Sequence, residues 1–165
     1  MTNPSRMALV AASVAFCLAS IAAPAAAGCW TSADIAAARV REMQTKLAVA
    51  ALQCRFSRVD IRASYNRFLR NGRSALRAAN GRLKAHFMAQ GRTGQRAYDR
   101  YTTALANGYG GSQISFGSCA KTFAVMTEAA LPETNLQSLA AREVVAPTLP
   151  SASCPANKAI VIAAE

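Results

Sequence analysis

The sequence predicts an all-α protein: a bundle-like single domain of four or five helices over residues 28–146, with two disulfides, followed by an extended, proline-containing C-terminal tail over residues 147–165. Three observations predict this fold class. Apolar residues recur at steps of three and four, the spacing of one helix face. Clusters of glycine or proline separate the periodic stretches. Four cysteines remain after the leader at residues 1–27 is removed.

The first predicted helix is capped by Thr31 or Ser32 and runs to about Arg55. Asp34 falls in its first turn, where a negative charge interacts favourably with the helix dipole. The second half of this helix is apolar nearly all round. We therefore expect it to lie at the centre of the fold.

The second predicted helix is the longest and begins near Ser57. Its apolar face keeps the helical period for about seven turns, as far as Phe87. Asn80–Gly81 is a pair that ends or kinks many helices. Because the apolar period passes through this pair unbroken, we expect the helix to continue there.

Three shorter helices complete the predicted domain. The third follows a Thr93 cap and ends at the glycines that open the segment Gly108–Gly117, which is expected to be a loop or at most a short strand. The fourth is capped by Ser118 and ends before Pro132. A fifth, weaker helix spans residues 134–143.

The first 27 residues have the pattern of a secretory signal peptide. Arg6 precedes an uncharged, mostly apolar run from Ala8 to Ala23, and Ala25–Ala27 forms a small-residue cleavage site. The run is shorter than the ~20 strongly apolar residues of a membrane span. This leader predicts a protein that is exported to the periplasm or secreted.

The residues around Cys29 allow an alternative. Ala26–Gly28 before Cys29 is similar to a relaxed bacterial lipobox, in which that cysteine would carry a lipid anchor. Cysteine parity favours disulfides instead, because loss of the leader with Cys17 leaves an even set for an oxidising compartment. The remaining cysteines are Cys29, Cys54, Cys119 and Cys154.

Helix geometry limits how these cysteines can pair. A continuous first helix places Cys29 and Cys54 ~37 Å apart, whereas a disulfide needs Cα atoms within ~7 Å. In an up-and-down bundle the end of the first helix lies beside the start of the fourth. This favours Cys54–Cys119 with Cys29–Cys154. The competing connectivity, Cys29–Cys119 with Cys54–Cys154, requires another helix order.

The excess positive charge is confined to the middle of the chain. Residues 55–100 contain twelve Lys or Arg and two Asp, whereas the segments on either side are nearly neutral. Placing residues at ~100° each gathers five basic side chains along one edge of the second helix. They are Arg62, Arg70, Arg73, Arg77 and Lys84.

A localised basic surface attracts polyanions. The leading hypothesis is an exported, non-enzymatic envelope protein whose basic surface binds an anionic partner: a lipid head group, a glycan, a nucleic acid or an acidic protein. The alternative interpretation of the charge is a solvated surface that keeps the protein in solution. A different alternative is an assembly module, in which the apolar tail Ala159–Ala164 docks on a neighbour.

Few residues are suited to catalysis. Ser118 and Lys121 form a Ser-x-x-Lys pair, and His86 is the only histidine. These residues would carry a small periplasmic hydrolase or transferase, but the companion motifs of that chemistry are missing and Ser118 suits a helix cap. No cysteine, histidine or acidic cluster has metal-ligand spacing, so we expect no metal and no cofactor.

Three tyrosines have two interpretations. Tyr98, Tyr101 and Tyr109 lie near Arg96 and Arg100 in sequence and would suit stacking on bases or sugars. Tyr98 and Tyr101 also lie on the predicted core face of the third helix, which favours a packing role.

Several short segments carry a resemblance. They are Cys29–Trp30, Ala37–Arg41, Asn80–Phe87 and Tyr98–Tyr101. With them, residues 29–125 resemble small exported proteins of unknown function from Gram-negative bacteria. The resemblance implies periplasmic export and four structural cysteines, and it implies no activity.

Overall fold

The computed structural model describes residues 28–56, 61–111 and 115–151, together with Cys154. These residues form six α-helices and no β-strand, so the all-α class is confirmed. The helices are α1 (Ser32–Gln53), α2 (Ile61–Asn71), α3 (Arg73–Met88), α4 (Gly94–Gly110), α5 (Phe116–Ala129) and α6 (Leu136–Glu143). The predicted leader and the apolar end of the predicted tail lie outside the described residues.

Helix α1 is the central element, as its apolar second half predicted. It contacts each of the other five helices, and Val40, Met43 and Leu47 are fully buried along it. Its start is fixed by a capping box. Thr31 Oγ1 accepts a hydrogen bond from the Asp34 N–H, and the Asp34 carboxylate accepts one from the Thr31 N–H.

The predicted second helix is divided at Gly72 into α2 and α3, which raises the helix count to six. A Cβ at Gly72 would lie 2.8 Å from Leu136 Cδ1 and 2.9 Å from the Phe68 carbonyl oxygen. The absence of a side chain therefore lets α6 approach closely at this point. Helix α3 continues through Asn80–Gly81, as its apolar period predicted.

The start of α5 corrects a prediction. Its N-cap is Ser115, not Ser118. Ser118 is the third residue of the helix, and its hydroxyl accepts a hydrogen bond from the Ser115 N–H, while Ser115 Oγ accepts one from the Ser118 N–H. Both serines suit a cap, and their reciprocal bonding decides which takes the first position. Phe116, expected in the loop, begins the helix.

Two disulfides hold the two ends of α1, and they are the pairs that helix geometry favoured. Cys29–Cys154 lies just before the helix, with Cα atoms 4.8 Å apart, and Cys54–Cys119 lies at its end, with Cα atoms 5.9 Å apart. Each joins segments that are distant in sequence. Both restrict the unfolded chain strongly.

The described part of the tail is irregular but not free. Val144 is buried, and the Val145 carbonyl accepts a hydrogen bond from Arg39. Thr148 donates its N–H and its hydroxyl to the Glu42 carboxylate at 2.7 and 3.1 Å. Ser151 donates its hydroxyl to the Gly28 carbonyl. Residues 144–151 are thus held by two side chains of α1, Arg39 and Glu42, and by the backbone of Gly28 before it.

Two helical glycines give a matched test of this packing. A Cβ at Gly94 would collide with the Phe87 carbonyl oxygen and lie 2.9 Å from Met88 Cα, whereas a Cβ at Gly81 meets nothing. We expect Gly94→Ala to lower the free energy of unfolding by about 2 kcal/mol through overpacking. Gly81→Ala should raise it by up to about 1 kcal/mol through helix propensity. Urea denaturation measures both, and equal effects would contradict the close approach at Gly94.

Candidate functional site: a basic face on α2, α3 and α4

The five predicted basic residues are all exposed on two consecutive helices. Arg62 and Arg70 lie on α2, and Arg73, Arg77 and Lys84 lie on α3. Within the described part of the chain, none of them has a carboxylate partner at ion-pair distance. The sequence therefore identified a set of charges that remains unneutralised.

The division at Gly72 separates this row of charges into an α2 part and an α3 part, because no helical hydrogen bond links residues 73–75 back to residues 69–71. The Gly72 N–H donates to the Phe68 carbonyl at 2.8 Å, and the Leu76 N–H donates to the Gly72 carbonyl at 2.9 Å. Helical hydrogen bonding thus continues on both sides of the break. At ~1.5 Å per residue, the α2 part from Arg62 to Arg70 extends over ~12 Å and the α3 part from Arg73 to Lys84 over ~17 Å. Charges spread over these two lengths suit an extended anionic surface better than a single small anion.

The structure adds four arginines that the second-helix pattern alone did not include. They are Arg67, Arg92, Arg96 and Arg100, all exposed. The last two lie on α4, which packs against α3. We call the exposed cations of residues 61–100 that have no carboxylate partner in the described structure the basic face, which excludes Arg82 because it pairs with Asp34. They are Arg62, Arg67, Arg70, Arg73, Arg77, Lys84, Arg92, Arg96 and Arg100. The signal that could have found the additional members is the excess of basic residues over the whole of residues 55–100.

The carboxylates of the protein are used elsewhere. Between residues 61 and 100, Asp99 is the only acidic residue, and it is exposed and accepts a hydrogen bond from Gln95. Glu143 pairs with Lys46, and Glu128 pairs with Arg142. Among the described residues of the 61–100 segment, one carboxylate therefore stands against the nine cations of the basic face, which leaves a net positive potential there.

An exposed apolar group lies at the Cys54–Cys119 disulfide. Leu52, Phe56 and Phe116 are each within three residues of one of these cysteines, and 69%, 86% and 68% of their surfaces are exposed. The guanidinium of Arg55 lies 4.6 Å from the centre of the Phe56 ring. We call Leu52, Phe56 and Phe116 the apolar group. Sequence reasoning missed it because Leu52 was assigned to a buried helix.

A buried polar network ties α3 to the start of α1. The Asp34 side chain is 4% exposed, and its carboxylate accepts a hydrogen bond from Arg82 Nε. Nδ1 of His86 lies 3.3 Å from the same carboxylate. Burial acts to raise the pKa of Asp34, but hydrogen bonds from Thr31 and Arg82 and the Arg82 charge outweigh it and hold this pKa below its usual value.

His86 is a packing residue in this structure. Its ring stacks on Trp30 with ring centroids 4.2 Å apart, and its side chain is 8% exposed. Phe87 makes an edge contact with the same indole. His86 therefore belongs to the core that closes over the start of α1.

The three tyrosines also face inward. Tyr101 is buried against Trp30 and Phe87, and Tyr98 packs edge-on against Phe87. The Tyr109 hydroxyl donates to buried Glu42 at 2.9 Å. Burial, with the Glu42 hydrogen bond and charge, raises the pKa of Tyr109. A stacking surface for bases or sugars is therefore not formed by these rings.

The residues of the proposed catalytic alternative are not brought together. His86 contacts Asp34 at the start of α1, whereas Ser118 adjoins Cys119, which is bonded to Cys54 at the end of α1. These two ends are ~30 Å apart along the helix. The Ser118 hydroxyl donates to the Ser115 carbonyl at 2.8 Å, and Lys121 is exposed.

Among the described residues, neither a metal site nor a membrane-spanning helix accompanies the basic face. Among the residues that the structure describes, no three His, Cys, Asp or Glu side chains are grouped so as to hold a metal ion. No described helix is long and apolar enough to cross a bilayer. No protein-family model matches the chain, and neither a curated protein nor a solved structure matches it significantly.

Proposed function

We propose that this protein is an exported envelope protein that binds an anionic membrane surface through its basic face. The observation that carries the proposal is the succession of exposed arginines on α2 and α3 that have no carboxylate partner among the described residues. Export is supported by the signal-peptide pattern of residues 1–27 and by two disulfides, which persist in oxidising compartments.

Arginine favours phosphate groups as the anionic partner. The planar guanidinium donates paired hydrogen bonds to phosphate oxygens, and it loses less hydration on contact than an ammonium group does. Eight of the nine cations of the basic face are arginine. Lipid head groups supply many phosphates in one plane, which matches a row that extends along two helices.

The apolar group favours a bilayer over a soluble polyanion. Phe56 lies against the Arg55 guanidinium, and it is six residues from Arg62, so the Cα atoms of Phe56 and Arg62 lie within ~22 Å. Aromatic and aliphatic side chains beside arginines partition into the boundary between head groups and acyl chains. A polysaccharide or a nucleic-acid duplex offers no apolar layer that Phe56 and Phe116 could enter, and single-stranded DNA, on whose bases the rings could stack, is a competitor in the experiment below.

Vesicle co-sedimentation tests the proposal. The purified protein should sediment with phosphatidylglycerol vesicles but not with phosphatidylcholine vesicles, and binding should weaken as salt rises from 0.05 to 0.5 M, because exposed charges are screened over ~10 Å at 0.1 M. Heparin and single-stranded DNA serve as competitors without a bilayer. Equal binding to both vesicle types, or binding to a soluble polyanion but not to vesicles, would overturn the membrane assignment.

A double variant tests the apolar group separately from the charges. Phe56→Ser with Phe116→Ser removes two exposed rings and no charge. We expect this variant to bind phosphatidylglycerol vesicles at least tenfold more weakly while its affinity for heparin is unchanged. Loss of affinity for both would indicate that the rings act through the fold, which circular dichroism of the variant would show.

A further inference from the structure

A groove of about 880 Å³ lies between the α3–α4 turn and the fixed part of the C-terminal segment. Phe87 and Tyr101 form its base, Ala97 and Ala104 of α4 form one wall, and Leu149 and Pro150 form the other. Its volume is within the ~300–1,000 Å³ range of small-molecule sites. The groove is separate from the contacts used for the proposed membrane function, apart from Arg100.

The groove is built from parts that are already held in place. Trp30 packs against both base residues, with ring centroids 5.7 Å from Phe87 and 6.0 Å from Tyr101. The opposite wall is fixed because Thr148 bonds to Glu42 and Ser151 bonds to Gly28. The Cys29–Cys154 disulfide ties the same corner. A ligand would therefore enter a preformed site and pay little ordering entropy.

The lining indicates the chemical class of the ligand. The base and the α4 wall are mainly apolar, the opposite wall combines Leu149 and Pro150 with Thr148 and Ser151, and Arg100 is the charged residue among the described lining. Arg100 is exposed and has no carboxylate at ion-pair distance among the described residues. Gln90 and Thr93 add neutral polar groups at the α3–α4 side. Among the described residues that line the groove, none is acidic.

We infer that this groove binds a single-chain amphiphile with an anionic head, its chain over Phe87 and Tyr101 and its head at Arg100. The inference does not rest on the proposed membrane function, because a groove ligand is bound one at a time from solution. Charge complementarity at one end and an apolar base along the rest distinguish such a ligand from a polar sugar or a free phosphate.

Dodecanoate, dodecyl phosphate and uncharged 1-dodecanol are suitable probes below their micellar concentrations. Trp30 is the only tryptophan of the chain and packs against both base residues of the groove, so its fluorescence reports whether the groove is occupied. Calorimetry gives the number of probe molecules bound per protein. We expect saturable one-to-one binding of an anionic probe and at least tenfold weaker binding of 1-dodecanol. Comparison of the two anions identifies the preferred head. Absence of saturable binding by either would overturn the inference.

Matched variants locate the site. Ala104→Phe should fill the groove and weaken binding at least tenfold, whereas Thr103→Phe, the neighbouring exposed position outside the lining, should bind as the unchanged protein does. Arg100→Gln, a surface change, should weaken binding of the anion and not that of 1-dodecanol. Arg73→Gln should weaken binding to phosphatidylglycerol vesicles and leave binding of the groove probes unchanged.

Two outcomes would overturn the inference even with a folded protein. One is equal affinity of the Ala104→Phe and Thr103→Phe variants. The other is binding that occurs only after residues 156–165 are removed, since the apolar stretch Ile160–Ile162 would then be the occupant of the groove. Failure here, with vesicle binding intact, leaves the proposed membrane function standing.

Discussion

Replacing Arg70, Arg73 and Arg77 together with Gln is expected to weaken binding to phosphatidylglycerol vesicles by about a hundredfold. Each cation near an anionic bilayer contributes about 1 kcal/mol, and about 1.4 kcal/mol corresponds to a tenfold change in affinity. The three side chains are exposed and without carboxylate partners in the described structure. Their removal should therefore cost binding and leave the fold intact.

The control is a second triple variant that has the same net charge as the first. Lys46, Lys121 and Arg142 lie outside the basic face, and changing all three to Gln also removes three positive charges. We expect this second variant to keep most of the vesicle affinity. An equal loss in both variants would show that total charge, rather than the row on α2 and α3, governs binding.

Salt dependence gives a further check on the same variants. The unchanged protein and the control variant should lose affinity steeply as salt rises, and the variant without Arg70, Arg73 and Arg77 should lose it less steeply. Parallel slopes would contradict a direct role of these arginines. The melting temperature of each variant, which we expect to change little, separates binding effects from unfolding.

Asp34→Ala is expected to lower the free energy of unfolding by about 3 kcal/mol. Removing one partner of a buried ion pair costs about 3–5 kcal/mol, and the lower end applies because the Arg82 side chain is half exposed and can be hydrated again. The change also deletes the carboxylate that completes the Thr31 capping box. Urea denaturation at neutral pH measures the loss.

Acid should remove the same contribution from the unchanged protein. The pKa of Asp34 is held below its ordinary value near 3.8, so the folded state favours the ionised carboxylate. This stabilisation is fully present above the unfolded value and is lost as pH falls through the lower folded value. The stability difference between the unchanged protein and Asp34→Asn should therefore shrink below about pH 3.8.

Asp99→Ala is the matched control for this position. Asp99 is exposed, and its hydrogen bond comes from Gln95 one turn away. We expect its removal to change the free energy of unfolding by at most about 0.5 kcal/mol. A comparable loss at both positions would contradict the special role of the buried carboxylate.

Local patterns were sufficient for several features of this protein. The helical class follows from apolar spacing, and α1, α4 and α6 lie where that spacing and the cap residues placed them. The length of α1 excluded a Cys29–Cys54 bond, whereas the choice between the two remaining connectivities rested on the assumed up-and-down order of the helices. The five basic residues were found because helical periodicity fixes which side chains share an edge. Apart from that choice of connectivity, each of these features depends on contacts within one helix or on its length.

Other features depended on residues that are far apart in sequence. The division at Gly72 is set by the close approach of Leu136, and the position of α5 by the choice between two suitable serines. The groove exists because residues 148–151 are held against α1 by Glu42 and the start of the domain. No local sequence pattern indicates which distant segment will pack against α1. The groove, the buried Asp34 network and the exposure of the apolar group were therefore determined by tertiary packing.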